Sequence, residues 1–263
     1  MATQYSGSGD PQRTIELLWN VPPPPRPGPK PRLTTEGIAE VAIHLADQHG
    51  LAAVTLRRVA EELGVTAMSL YGYVPSKAEL LDLIADRAYA QFPTPDHGQT
   101  GWRTRLEVIA RQNWTLYLTH PWLLQIATSR PLLGPHLTAK YDYELSAVDG
   151  LGLSDIEMDL VVSLVNDYIH GAARTAVDAA AAQSQTGVTD EQWWQTYGPL
   201  LGQVLTPERY PTAVRVGSAA GAEYNAAHDP ARSFEFGLHR ILDGIEILID
   251  NRNPRGDVPE HRR

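Results

Sequence analysis

Residues 55–81, TLRRVAEELGVTAMSLYGYVPSKAELL, constrain this chain more than any other stretch. Two short helical patterns meet at Gly64 and a third opens at Ser76. Thr55 is placed to cap a helix whose inward residues are Leu56, Val59, Ala60 and Leu63. Gly64 supplies the turn, because a positive φ costs glycine nothing. Thr66 caps a very short helix that ends near Tyr73 and is closed by Pro75. Ser76 and Glu79 have the spacing of a capping box for a further helix to about Ala90. Upstream, Ile38, Val41, Ala42, Leu45 and Ala46 form one apolar stripe, with Thr34 as its cap and Gly50 as its left-handed stop. This is the layout of a helix-turn-helix unit, which presents its second helix to the major groove of DNA.

In such a unit the early residues of the second helix face base edges. Here they are Thr66, Ala67, Met68 and Ser69. Thr66 and Ser69 can hydrogen-bond bases or phosphates, while Ala67 and Met68 offer apolar contact to a thymine methyl. Leu70 is expected to point inward, and Tyr71 and Tyr73 to reach phosphates. Lys77 opens the next helix, where its ammonium and nearby amides can hold a phosphate. Thr55 and Arg57 complete the expected DNA-facing set, with Glu61, Glu62, Asp82 and Asp86 directed elsewhere. From spacing alone, a three-helix bundle with no DNA role remains open.

Composition narrows the classes. The chain has 263 residues, enough for one large or two small domains. It has no cysteine, which excludes disulfides and thiolate metal sites. A transmembrane helix is not expected, since no apolar run reaches about 18 residues. With no basic-then-apolar leader pattern at the N-terminus, the expected location is cytoplasmic. The net charge of −9 speaks against nonspecific polyanion binding but leaves room for a local basic surface on one operator.

Residues 1–33 read as a flexible, Pro-rich basic arm. Its VPPPPRPGPKPRL run (21–33) favours extended polyproline II and carries Arg26, Lys30 and Arg32 without an acid. It suits either a DNA-touching arm or a plain linker. TIELLW (14–19) is a short apolar patch, docked or loose. The helix-turn-helix domain occupies 34–92, and FPTPDHGQTG (92–101) breaks the pattern. A helical domain for ligand binding and dimerisation is expected over 101–251, and a disordered tail over 252–263. Within it, helices are expected over 102–119, 121–128, 136–150, 154–182 and 229–251. The stretch 187–204 reads as partly helical, followed by a looser Pro/Gly-containing segment. No strand alternation persists, so the fold class is all-α.

The longest helical pattern is mostly apolar but carries Asn166, His170 and Arg174 at four-residue steps on one face. A few polar groups in an apolar setting are what small-molecule sites are built from; an interface face or an Arg174–Asp178 pair fits the same spacing. Trp114, Tyr117, Trp122 and Tyr141 are candidate aromatic lining, joined by Tyr168, Trp193 and Trp194, though each alone fits a core role. Six Trp and eleven Tyr against three Phe favour a planar, partly polar ligand. His120 and Arg130 are further candidate ligand contacts. No His or carboxylate spacing suits a metal, and no cofactor motif is present. Ser163, Asp167 and His170 contain the letters of a triad but share one helix, with no GxSxG elbow, so no catalytic residue is assigned.

The stretch TLRRVAEELGVTAMSLYGYVPSKAELLDLI resembles the DNA-binding domain of the tetracycline-repressor family. The likeness lies in the Thr opening the second helix, the Leu-Gly-Val turn, the Leu-Tyr of the recognition helix and the Lys after it. Further on, HPWLLQIATSRPLLGP, WWQTYGPLL, RYPT and FEFGLHRILDGI are similar to the ligand domains of actinobacterial members. The resemblance implies a homodimeric, all-α transcriptional regulator, usually a repressor, that a small molecule releases from a palindromic double-stranded DNA operator. It places the pocket among helices 102–119, 121–128, 136–150 and 154–182, and the dimer interface on 154–182 and 229–251. The pocket lacks a clear metal arrangement around His120, so a magnesium–tetracycline inducer is not implied. Two alternatives remain open: a ligand-independent DNA-binding regulator or activator, and a small-molecule-binding or catalytic all-α protein with a vestigial DNA head.

Overall fold

Eleven α-helices, two 3-10 turns and one pair of two-residue strands make up the described residues of the computed structural model, namely 4–5, 7, 9–21, 33–96, 98, 100–127 and 130–252. The helices are α1 (Pro11–Leu18), α2 (Thr35–His49), α3 (Leu56–Glu62), α4 (Ala67–Tyr71) and α5 (Lys77–Tyr89). There follow α6 (Trp102–Thr119), α7 (Pro135–Ser146), α8 (Asp155–Thr186), α9 (Asp190–Val204), α10 (Pro211–Tyr224) and α11 (Pro230–Arg252). The arm residues Arg26, Lys30 and Arg32 and the tail beyond Arg252 lie outside the described residues.

Side-chain oxygens start the head helices where the sequence places them. Thr34 accepts from Gly37 N–H, Thr55 from Arg58 N–H and Thr66 from Ser69 N–H, at 3.1, 3.2 and 3.3 Å. Each satisfies one of the N–H groups that a helix start leaves without a partner. Gly64 turns the chain between α3 and α4 at φ +66°, a region in which a Cβ is strained. Ile38, Ala42, Leu45, Val59, Leu70, Val74, Leu80 and Ile84 are buried together and hold α2 to α5 as one unit.

Ser76 and Glu79 do not form the expected capping box. Ser76 Oγ accepts from Ala78 N–H at 3.1 Å and bonds the Glu79 carboxylate directly. The other Glu79 oxygen accepts Asp10 N–H at 3.2 Å. Glu79 is drawn away because the N-terminal segment lies on α5 and brings backbone donors that need acceptors. Gly7 N–H likewise reaches Asp82, at 3.2 Å. TIELLW is thus docked: α1 packs on α5, Leu18 is buried, and the Trp19 indole donates to the Leu133 carbonyl at 2.8 Å. The expectation of a flexible arm throughout 1–33 fails over these residues.

In the body, α8 packs against α6 and α11, and α7 bridges α5 and α8. Arginines seam α6 to α11: Arg103 reaches Asp243 at 2.6 Å and Arg111 reaches Glu235 at 2.8 Å. Four expected boundaries change, the first being that the helix expected over 136–150 ends at Ser146. Residues 121–125 form a 3-10 turn (Pro121–Gln125), and the chain then extends as β2 (Ile126–Ala127) to pair in parallel with β1 (Gln4–Tyr5). The expected helix over 121–128 yields because the N-terminal strand takes its backbone bonds. The segment expected to be loose after Val204 contains α10, with Pro211 at the first helical position, where its missing N–H costs nothing. Gly221 of α10 sits against the Trp194 ring, leaving no room for a side chain. Finally, α8 continues past 182 to Thr186.

Candidate DNA-reading head and effector site

The helix α4 buries Leu70 completely and turns Met68, Ser69 and Tyr71 outward. Met68 is 77 % exposed and Tyr71 is 48 % exposed. Thr66 and Ser69 are exposed, their hydroxyls bonded to each other at 2.9 Å, and Ala67 is half-buried. An exposed methionine at this density of small polar side chains has no folding role, but it can contact a groove. Thr55 is exposed and Lys77 half-buried at the starts of α3 and α5. Tyr73 is half-buried and packs on the core, so its ring braces α4 as well as carrying a polar tip.

One acidic placement differs from expectation, and two lie away from the DNA side as expected. Glu61 lies on the same face as Arg57 and pairs with it at 3.0 Å, in solvent. Arg57 therefore has to exchange a weak exposed pair for any phosphate. Asp82 and Asp86 are buried in α5. Asp86 accepts the N–H groups of His136 and Leu137 at 3.1 and 3.0 Å, capping α7 from another helix. Burial lifts the Asp86 carboxyl above its ordinary value, partly offset by those N–H donors and by His136.

Head and body meet at Asp47 of α2. Its Oδ1 takes the Trp122 indole N–H at 2.6 Å and faces His120 Nδ1 at 2.7 Å. The other His120 nitrogen faces Gln91 at 3.2 Å. The Arg174 guanidinium of α8 bonds the Leu124 carbonyl at the end of the same 3-10 turn. A cleft of about 710 Å³ opens beside this junction, between Glu40, His44 and Arg87 of the head and His120 and His136 of the body. His120 and Trp122, expected in the ligand pocket, bond Asp47 and tie body to head, while Arg174, also expected there, braces the turn that carries them.

The interior between α6, α7 and α8 holds a polar cluster. Glu144 is 2 % exposed and Lys140 is 4 % exposed, with Lys140 Nζ 2.5 Å from Glu144 Oε1. Asn113 of α6 donates to Glu144 Oε1 at 2.9 Å, and Asn166 of α8 donates to Oε2 at 3.0 Å. One turn further along both helices, the Tyr117 ring meets the His170 ring edge-on at 5.7 Å. Tyr117 and Tyr89 lie close enough to influence each other's hydroxyl, which brings this interior up to α5. Burial pushes the Tyr89 hydroxyl up to about 12 and lifts Tyr117 well above its ordinary value. Burial and then Arg174 hold the His170 imidazole below its ordinary value. Asn113 Oδ1, Asn166 Oδ1 and His170 Nε2 are buried with no hydrogen-bond partner. Such orphans are rare and costly in a finished core, and they mark an interior suited to a polar guest.

Of the expected ligand residues, the structure brings together Tyr117, Asn166 and His170. Trp114 stacks on Phe234 of α11 at 4.3 Å, in the α6–α11 seam. Tyr141 is exposed and bonds Asp159 at 2.6 Å, and Arg130 is exposed. Trp193 stacks on Tyr197 at 4.6 Å within α9. Asn113, Lys140, Glu144 and Tyr89 were missed. Asn113 was visible as the one polar residue in the apolar register Leu106, Ile109, Ala110, Asn113, Leu116, Tyr117. Among the described residues no group of His, Asp or Glu could hold a metal ion, and no helix is long and apolar enough to cross a membrane.

Comparison with known proteins agrees with this geometry. Residues 38–92 match the model of bacterial regulatory proteins of the tetR family, and residues 94–249 match that of the tetracyclin repressor-like C-terminal domain. The HTH-type transcriptional repressor DrrR1 of Streptomyces coeruleorubidus is 42 % identical over 253 residues, 95 % of this chain and 91 % of that protein. An HTH-type transcriptional repressor of Mycobacterium tuberculosis is 26 % identical, covering 88 % of this chain and 87 % of its own. Among solved structures, ActR of Streptomyces coelicolor in complex with actinorhodin superposes with a TM-score of 0.69 at 25 % identity, over 82 % of this chain and 96 % of that one. On the match of both domains and the likeness to a repressor along almost its whole length, this chain belongs to the tetracycline-repressor family of helix-turn-helix transcriptional regulators, which are not enzymes.

Proposed function

We propose that the protein is a homodimeric repressor that reads a palindromic operator with α4 and leaves it when a small aromatic molecule enters between α6, α7 and α8. The observation that carries the DNA half is the division of α4, with Leu70 locked inside and Thr66, Met68, Ser69 and Tyr71 outside. Thr66, Ala67, Met68 and Ser69 meet base edges, and Thr55, Arg57, Tyr71, Tyr73 and Lys77 hold phosphates. Self-association rests on the exposed apolar row Ile156, Leu160 and Leu164 of α8 with Phe236 and Ile247 of the neighbouring α11. A row of that kind on packed neighbouring helices is the surface of an unfinished bundle. The cytoplasm is the compartment in which such a regulator works.

The orphan polar atoms of the interior favour ligand response over ligand-independent regulation, as does the relative ActR seen with actinorhodin. Effector entry would press on Tyr117, whose neighbour Tyr89 ends α5, and on α8, whose Arg174 holds the turn tied to Asp47. Both routes end in the head. A coupling of about 1–3 kcal/mol would weaken DNA binding roughly 5–150-fold.

The test is retention of fragmented genomic DNA of the host by the purified full chain at about 150 mM salt, a concentration at which nonspecific binding is weak. Recovery of a few palindromic sites, with altered base preference in Met68→Ala, is the expected result. Enrichment of no sequence over bulk DNA would remove the operator reading.

A further inference from the structure

We infer that the effector is an uncharged planar aromatic molecule presenting two neighbouring hydroxyl donors, received by the Asn113 and Asn166 carbonyl oxygens. This rests on reading the α6–α8 interior as the effector site, and it names the chemistry of that site. The direction of both amides is fixed by one carboxylate. Asn113 Nδ2 donates to Glu144 Oε1 at 2.9 Å and to the Ile109 carbonyl at 3.2 Å. Asn166 Nδ2 donates to Glu144 Oε2 at 3.0 Å. A carboxylate only accepts, and the Lys140 ammonium at 2.5 Å keeps Glu144 in that form. Neither amide can turn its nitrogen inward without giving up a bond to a buried charge.

Both Oδ1 atoms are consequently left as acceptors, buried and without partners. Both belong to amides anchored on a single carboxylate, so one guest beside Glu144 can offer a donor to each. His170 Nε2, one turn along α8, is a third unpartnered atom. The guest must therefore bring donors. A carboxylate or phenolate would face two carbonyl oxygens and Glu144, and a cation would face Lys140, so an uncharged O–H fits best. Tyr117 and His170, with rings edge-on at 5.7 Å one turn along, bring aromatic surface beside this cluster, which suits an aromatic guest.

The test uses naphthalene-2,3-diol and its 2,3-dimethoxy ether, titrated calorimetrically into the full chain. Ring and size are matched, and only the donors differ. The diol is expected to bind about tenfold or more tightly, because the ether leaves the site's acceptors unpaired. Asn113→Leu and Asn166→Leu should each erase that preference, with circular-dichroism melts showing whether the variant is folded. In the pair Lys140→Met with Glu144→Gln, a neutral carboxamide can donate to an Asn carbonyl, so the preference should shrink even where a Leu variant fails to fold. Equal affinity for diol and ether, both weakened by the variants, would overturn the donor class while leaving the effector site standing. Absence of binding by either compound, or diol binding indifferent to every variant, would overturn the site as well.

Discussion

Helices α5 and α9 are similar in length, at 13 and 15 residues, and opposite in their surroundings. In α5 even Glu79, Asp82 and Asp86 are buried, because α1, α2 and α7 pack around it. In α9 no residue is buried, although it carries Trp193, Tyr197, Leu200, Leu201 and Val204 at 43 to 71 % exposure. The rings of α9 stack on one another, and Trp194 packs on Gly221 of α10, but this hairpin touches the remaining described helices only lightly. Apolar content therefore does not decide what is core. A helix surrounded by its own chain can bury acids if backbone donors reach them, whereas an apolar helix with few neighbours keeps its rings and methyls at the surface.

The contrast is most exposed to attack at the buried ion pair beside α5. Lys140→Met leaves Glu144 buried without its cation and should cost about 3–5 kcal/mol in urea unfolding. Adding Glu144→Gln should recover most of that loss. A single-variant cost near zero would mean the pair is hydrated in solution. Next, Leu70→Ala should cost about 2–5 kcal/mol and abolish operator binding, since α4 is pinned by that side chain. Val204→Ala in α9, at 71 % exposure, should change monomer stability by less than about 0.5 kcal/mol. If α9 is covered by a second copy, sedimentation will show that variant dissociating more readily; unaltered self-association would place the partner elsewhere.

On the DNA-facing side, where exposure means availability, the effects are expected on binding and not on stability. Met68→Ala should leave the melt unchanged and relax base preference at one position by about 1–3 kcal/mol. Lys77→Ala should weaken binding to all sequences alike and lower the salt slope by about one; a change in base preference alone would contradict the phosphate assignment. The smallest effect concerns pH. His170 is held below its ordinary imidazole value of 6.5, so as pH falls through 6.5 the unfolded chain takes up this proton before the folded one. Stability present above that pH should decline below it, and His170→Gln should flatten that part of the curve. An unchanged curve would mean His170 is solvated.

The head was almost fully legible. Thr34, Thr55 and Thr66 cap as expected and Leu70 turns inward, since capping and three- or four-residue spacing are local properties. The effector interior was only partly so. Asn166 and His170 could be read from their shared face, but Lys140 and Glu144 look in sequence like an ordinary exposed pair at four-residue spacing. His120 and Trp122 were expected to line a pocket, yet their partner is Asp47, more than seventy residues earlier. Glu79 shows the same limit, its capping-box spacing being overruled by a donor from Asp10.

By itself the sequence determined the all-α class, the turn at Gly64, the outward side chains of α4 and the family, because each depends on neighbours within a few residues or on a recognisable run of them. Only the tertiary structure decided which charges are buried, which way the two asparagine amides point and which aromatic residues tie head to body. Those outcomes depend on distant segments competing for the same backbone donors and carboxylate oxygens, and the winner is set by packing.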